Sequence, residues 1–125
     1  MIVYCCQDLL FATKIGSTAK VLGAAARPAR DESALVNRLN RVDDGRLNEK
    51  VRVVMIDLEM GEAALKLLRC VKAHDATLPV VAFGSHVATD VLQAAADGGA
   101  DYVMPRSQFT TQLPALIERF GKISS

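Results

Sequence analysis

The 125-residue chain contains no tryptophan, and aromatic residues make up only 5% of it. Platforms on which nucleobases stack are therefore poorly supplied. Charge of one sign is also missing: fifteen Lys and Arg face fourteen Asp and Glu, a formal net charge of +1. That near-balance removes the broad basic footprint on which nucleic-acid affinity rests. The three cysteines, Cys5, Cys6 and Cys70, are odd in number and two are adjacent. A secreted disulfide framework shows an even, spread set instead. No Cys-x-x-Cys pair exists, and His74 and His86 lie apart, so no structural zinc ligand set is visible. Long apolar runs are absent too. The opening stretch Met1 to Cys6 has no basic segment before it and is too short for a signal peptide or a bilayer span. The expectation is a soluble protein in a reducing cytoplasm, with neither nucleic acid nor membrane as partner. No Gly-x-x-x-x-Gly-Lys-Ser/Thr or Gly-x-Gly-x-x-Gly motif is present. Gly16-Ser17-Thr18 falls inside a predicted helix, where a phosphate loop does not belong.

What is present is apolar residue, 50% of the chain, in an alternating pattern of short runs and helical periods. Ile2 to Cys6 reads as a strand buried on both faces. Asp8 caps a helix carrying Leu9, Leu10, Ala12, Ile15, Ala19 and Leu22, which Gly23 stops. Ala24 to Arg27 is a weaker second strand, poor in β-branched residues. Asp31 starts a second helix with Ala34, Leu35 and Leu39 on one face, and the polar stretch Asn40 to Lys50 reads as an exposed loop. Val51 to Ile56 is the strongest strand and ends at Asp57. A helix over Gly61 to Ala73 follows, then a strand Pro79 to Phe83 ending at Gly84-Ser85-His86. A helix Val87 to Ala96, a short strand Tyr102 to Met104 cut by Pro105, and a last helix complete the pattern. Pro114 fits only a first turn, which places the start of that helix near Thr110 or Thr111. Five strands each followed by a helix predict a single α/β domain over residues 1–125, a parallel doubly wound sheet between two helical layers. In such sheets, function gathers beyond the carboxyl ends of the strands.

Three segments resemble response-regulator receiver domains of the CheY-like kind. Val53-Val54-Met55-Ile56-Asp57-Leu58-Glu59-Met60 is similar to their third strand and its Asp-Leu-x-Met-Pro ending. Pro79 to Phe83 resembles their fourth strand, and Gly99-Ala100-Asp101-Tyr102-Val103-Met104-Pro105 their Gly-Ala-x-x-Tyr-Leu-x-Lys-Pro segment. The resemblance runs in order along nearly the whole chain and implies a flavodoxin-like sheet with strand order 2-1-3-4-5. It also implies phosphoryl transfer to Asp57, with Mg²⁺ held by carboxylates beside it. The family's acidic pair falls here on Cys6 and Gln7, and only Asp8 is acidic. The family's Ser or Thr after the fourth strand falls on Gly84, with Ser85 next. The family's Lys falls on Pro105, with Arg106 next. Because one residue along a strand turns a side chain to the opposite face, Arg106 is not expected to replace that Lys. Tyr102 matches the aromatic that swings inward on activation, but Gly84 has no hydroxyl to couple with it.

These residues imply a degenerate, or pseudo-, receiver: a non-enzymatic module of a two-component phosphorelay system that acts by protein–protein contact, with Asp57 phosphorylation impaired or absent. The partners implied are signalling proteins, a histidine kinase or an output protein. A homodimer is expected through the face of the fourth helix, fifth strand and fifth helix, near Thr89, Asp90, Gln93, Tyr102, Arg106 and Arg119. No cofactor is expected. Two alternatives stay open. One is a working phosphoacceptor at Asp57, with Mg²⁺ between Asp8 and Asp57. The other is a small-molecule sensor using Ser85, His86 and Arg106. Asp57 also reads as a partly exposed helix cap, and Cys6 as a packing residue that turns redox-active only with a lowered pKa.

Overall fold

A computed structural model describes residues 1–40, 42–43, 46–47 and 50–121. Five strands form one parallel sheet: β1 (Ile2–Cys5), β2 (Ala26–Pro28), β3 (Val53–Asp57), β4 (Val80–Gly84) and β5 (Tyr102–Pro105). Their spatial order is β2-β1-β3-β4-β5, the flavodoxin-like arrangement. The helices are α1 (Leu9–Val21), α2 (Glu32–Leu39), α3 (Glu62–His74), α4 (Thr89–Asp97) and α5 (Arg106–Leu116). The expected loop over 40–50 lies largely outside the described residues; within it, Val42–Asp43 pairs antiparallel with Arg46–Leu47. Among the described residues, no helix is long and apolar enough to cross a membrane.

The period-2 alternation of the strands divides the core in two. Val3, Cys5, Val54, Ile56, Val80 and Ala82 meet α2, α3 and Ala95 of α4 on one face. Ile2, Val53, Met55, Val81, Phe83 and Met104 meet α1 and α5 on the other. Strands covered on both faces need continuous apolar runs, which is why β3 and β4 are buried throughout. Helix starts follow local chemistry. The Asp8 carboxylate accepts from the amides of Leu10 and Phe11 at 3.0 and 3.3 Å, and that of Asp31 from Ala34 at 2.7 Å. Gly61 supplies the turn into α3 with φ of 62°, a left-handed value costly for other residues.

Two expectations at the C-terminal end are corrected. The fifth strand is not cut before Pro105: Pro105 pairs with Gly84, tolerated because β5 is an edge strand. The last helix begins at Arg106, not near Thr110, and so encloses Pro114. An internal proline costs roughly 3 kcal/mol through the lost N–H and ring clash. Burial of Phe109, Leu113, Leu116 and Ile117 against the sheet offsets it, and the helix ends in a π-helical turn over Ile117–Gly121. The Met104–Pro105 peptide is trans.

Candidate functional site

The parallel register brings the ends of β1, β3, β4 and β5 to one edge, with Asp57 opposite Phe83 and Gly84 opposite Pro105. Asp57 closes β3 and caps the short 3₁₀ turn Leu58–Met60. It is only 2% exposed and is the one polar residue of the described core, which corrects the expectation of a partly exposed cap. Both of its oxygens accept hydrogen bonds. Oδ1 accepts from the Glu59 amide at 3.0 Å and from Arg106 Nη2 at 2.9 Å. Oδ2 accepts from the Cys6 thiol at 3.4 Å.

Arg106 reaches the carboxylate after all, contrary to the expectation from strand alternation. Its guanidinium is also 3.3 Å from Glu59 Oε2 and lies 5.2 Å over the ring of Phe11. Beneath it, Phe11, Phe83 and Phe109 stack, with centroids 5.2 Å apart for the first pair and 3.9 Å for the second. Three of the four phenylalanines of this aromatic-poor chain thus form the floor of one site. Burial works against the Arg106 charge, but Asp57 and Glu59 more than compensate and raise its pKa further. The contact is one-pronged: Nε is buried and finds no hydrogen-bond partner. A buried donor left unmade costs roughly 1–3 kcal/mol, so the grip on Asp57 falls short of a bidentate fork.

Cys6 is buried, and its thiol bonds Asp57 Oδ2 and, at 3.5 Å, the Asp8 carbonyl. Burial first, then the Asp57 charge, push its pKa up to about 12. A protonated thiol acts as a donor to Asp57, and a raised pKa runs opposite to the lowered one that a redox role requires. Cys5, behind it, is likewise pushed to about 12 by burial. Gln7 and Asp8 are exposed, and the Asp8 carboxylate is turned to its helix cap. Gly84 is buried; a Cβ there would meet Leu58 Cβ at 3.2 Å, so a larger residue would force the chain between β3 and α3 to shift. Ser85 Oγ accepts from the Val87 amide at 3.4 Å, a local turn contact. Ser85, exposed His86 and Arg106 do share a cleft of about 260 Å³ with Glu59, Pro105 and Ser107. Tyr102 is half-buried against Phe120, centroids 5.8 Å apart, and Arg119 lies over both rings.

The residues present do not suit Mg²⁺. A hard divalent cation takes carboxylate oxygens and water, whereas position 6 offers a neutral thiol. Asp57 Oδ1 already accepts two hydrogen bonds, Asp8 Oδ1 caps α1, and no group of three metal-ligating side chains occurs among the described residues. The sequence did not reveal the Glu59 contact or the phenylalanine floor. The spacing of Arg106 and Phe109 on one helical face was the available signal for the latter.

No protein-family model and no curated protein matches the chain. Solved structures do. A response regulator from Thermotoga maritima is 17% identical, with 94% of this chain and 93% of that one covered and a TM-score of 0.74. The receiver domain of NtrX from Brucella abortus is 20% identical, covering 95% and 96%, with a TM-score of 0.75. The phosphorylated cyanobacterial phytochrome response regulator RcpA is 13% identical, covering 95% and 91%, with a TM-score of 0.77. At such identities the likeness shows that the chain has the receiver fold, over almost its whole length.

Proposed function

We propose that this chain is a receiver-like signalling module that works through protein contacts and takes up no phosphoryl group at Asp57. The observation that carries this reading is the closed state of the carboxylate. An attacking oxygen needs an open line of approach and a cation to screen the incoming phosphoryl oxygens. Asp57 is 2% exposed, its Oδ1 already accepts from Arg106 and the Glu59 amide, and the Cys6 thiol stands against Oδ2. Arg106 neutralises the carboxylate itself instead of waiting for a phosphate. The module is non-enzymatic on this reading, and the Tyr102 swing is absent because Gly84 has no hydroxyl to drive it.

The test is incubation with acetyl phosphate and Mg²⁺, read by intact mass beside a phosphorylatable receiver as control. The expected result is an unmodified chain and a modified control. A wild-type adduct of one phosphoryl group, missing from Asp57→Asn, would refute the proposal. The outgoing surface on this reading is the α4–β5–α5 face, used for a homodimer or for a kinase or output protein. There Arg119 is braced across Tyr102 and Phe120, and Gln93 bonds Asp97 at 2.9 Å. Arg119→Ala and Gln93→Ala are expected to weaken self-association in sedimentation or capture of the partner. Both contacts surviving both substitutions would count against this face.

A further inference from the structure

The largest described cleft, about 370 Å³, lies away from Arg106, between α1 and the C-terminal end of β2. Small residues open it. Gly16 sits inside α1, where glycine costs roughly 1 kcal/mol relative to Ala, and a Cβ there would point at the Tyr4 hydroxyl, 3.7 Å away. Lys20 and Arg30 line it and form no ion pair among the described residues. No carboxylate lines it. The cleft is therefore cationic. Its hydroxyls are directional. Thr13 and Ser17 both donate to helix carbonyls, of Leu9 and Thr13, at 2.7 Å, which leaves their oxygens as acceptors. The Tyr4 hydroxyl has no partner among the described residues. Two exposed cations thus stand beside the Thr13 and Ser17 acceptors, with Leu9 and Pro28 as apolar members of the lining.

We propose that the α1–β2 cleft binds a small phosphorylated polyol, its phosphate on Lys20 and Arg30 and its hydroxyls donating to Thr13 and Ser17. Arg and Lys supply the charge-assisted bonds a phosphate requires. The volume falls within the range of small-molecule sites and exceeds what a bare phosphate fills. Cys6 lines this cleft and also donates to Asp57, so a ligand there touches the network that closes the carboxylate. The site does not depend on how Asp57 behaves, and the two proposals fail separately.

The experiment is calorimetric titration of the full chain with ribose 5-phosphate, ribose and inorganic phosphate, with amide chemical shifts followed in parallel. Ribose 5-phosphate is expected to bind saturably and to shift amides at residues 4, 13, 16, 17, 20 and 30. Lys20→Ala and Arg30→Ala should each weaken it about tenfold, the loss of roughly 1.4 kcal/mol from one exposed charged contact. Gly16→Leu should abolish it by filling the cleft. All three positions lack tertiary bonds, and unchanged circular dichroism of each variant controls for folding. Absence of saturable binding by ribose 5-phosphate would overturn the proposal. So would binding that the double variant Lys20→Ala/Arg30→Ala leaves intact, or inorganic phosphate binding as tightly as the sugar phosphate.

Discussion

Replacing Arg106 by Met keeps an apolar stem over Phe11 and removes the cation from Asp57. Breaking a buried pair by deleting one partner costs about 3–5 kcal/mol, because a desolvated charge remains. Here Asp57 is 2% exposed but the Arg106 side chain is 28% exposed, so water can enter the vacated rim. The Glu59 amide and the Cys6 thiol also stay in place. Those two facts lower the expected cost to about 2 kcal/mol. With an m-value of about 1.5 kcal/mol/M for a domain of this size, the urea midpoint should fall by about 1.3 M. The contact from Arg106 to Glu59 adds little, since Glu59 is 60% exposed and its charge is screened. A double-mutant cycle with Asp57→Asn isolates the pair. In the Asp57→Asn background, Arg106→Met should cost less by about 1 kcal/mol or more, because no stranded charge remains. Midpoints within about 0.3 M of wild type for Arg106→Met would refute the reasoning. Equal losses in the two backgrounds would show that Arg106 contributes through packing alone.

Gly16→Ala should stabilise the chain by roughly 0.5–1 kcal/mol in denaturant unfolding, since α1 gains propensity and the new Cβ meets Tyr4 only at contact distance. Destabilisation would show that the cleft is tighter than described. Thiol labelling at about pH 8 should modify Cys70 first, because Cys5 and Cys6 are buried and held protonated up to about 12. The unfolded chain releases those two protons at about pH 8.5. The stability they contribute is therefore complete below that value and lost as pH rises toward about 12. Cys6→Ala should flatten this alkaline loss, and an unchanged slope would exclude Cys6 as its source. Asp101 behaves in the opposite sense. Burial alone would raise its pKa, but Lys72 at 2.8 Å and the Val80 amide at 2.8 Å hold it below the ordinary carboxylate value. Its contribution is present above that range and lost as pH falls through the lowered value. Lys72→Met should remove about 0.5–1 kcal/mol at neutral pH, screened because Asp101 is partly exposed, and less in strong acid. A loss equal at both pH values would sink the ion-pair account.

The sheet was legible because burial on both faces writes itself into β1, β3 and β4 as continuous apolar runs. Asp8 and Asp31 were legible as caps because capping is a local event between neighbours in sequence. β2 was faint for the opposite reason: three residues on an edge need only β1 as a partner, so its composition is weakly constrained. The start of α5 was misplaced because Pro114 was judged by local cost alone. Four buried apolar side chains outweigh that cost, and none of their contacts is visible in one dimension. The site was half legible. Asp57 and Arg106 stood out as residue types near strand ends, whereas Glu59, Cys6 and the stacked phenylalanines meet them only through the fold.

Arg106 shows most clearly where the sequence argument lost its hold. Alternation of side chains is a property of extended backbone and ends where the strand ends. β5 carries its pairing through Pro105, and α5 begins at the very next residue. Arg106 is therefore the first residue of a helix, and parity along the strand does not decide its direction. Helical side chains lean back toward the helix N-terminus, and from there the Arg106 guanidinium reaches Asp57 at the end of β3. The same reversal places Phe109, one turn on, beneath the guanidinium's aromatic neighbours. A strand that ends at Pro105 and a helix that begins at Arg106 thus turn a one-residue offset into a contact. The carboxylate is closed by chain direction at a strand–helix junction, so lengthening that junction should open it. Insertion of one glycine between Pro105 and Arg106 should uncouple Arg106 from Asp57, making Arg106→Met nearly neutral for stability. A full cost of about 2 kcal/mol persisting in the insertion variant would show that Arg106 finds Asp57 regardless of the junction.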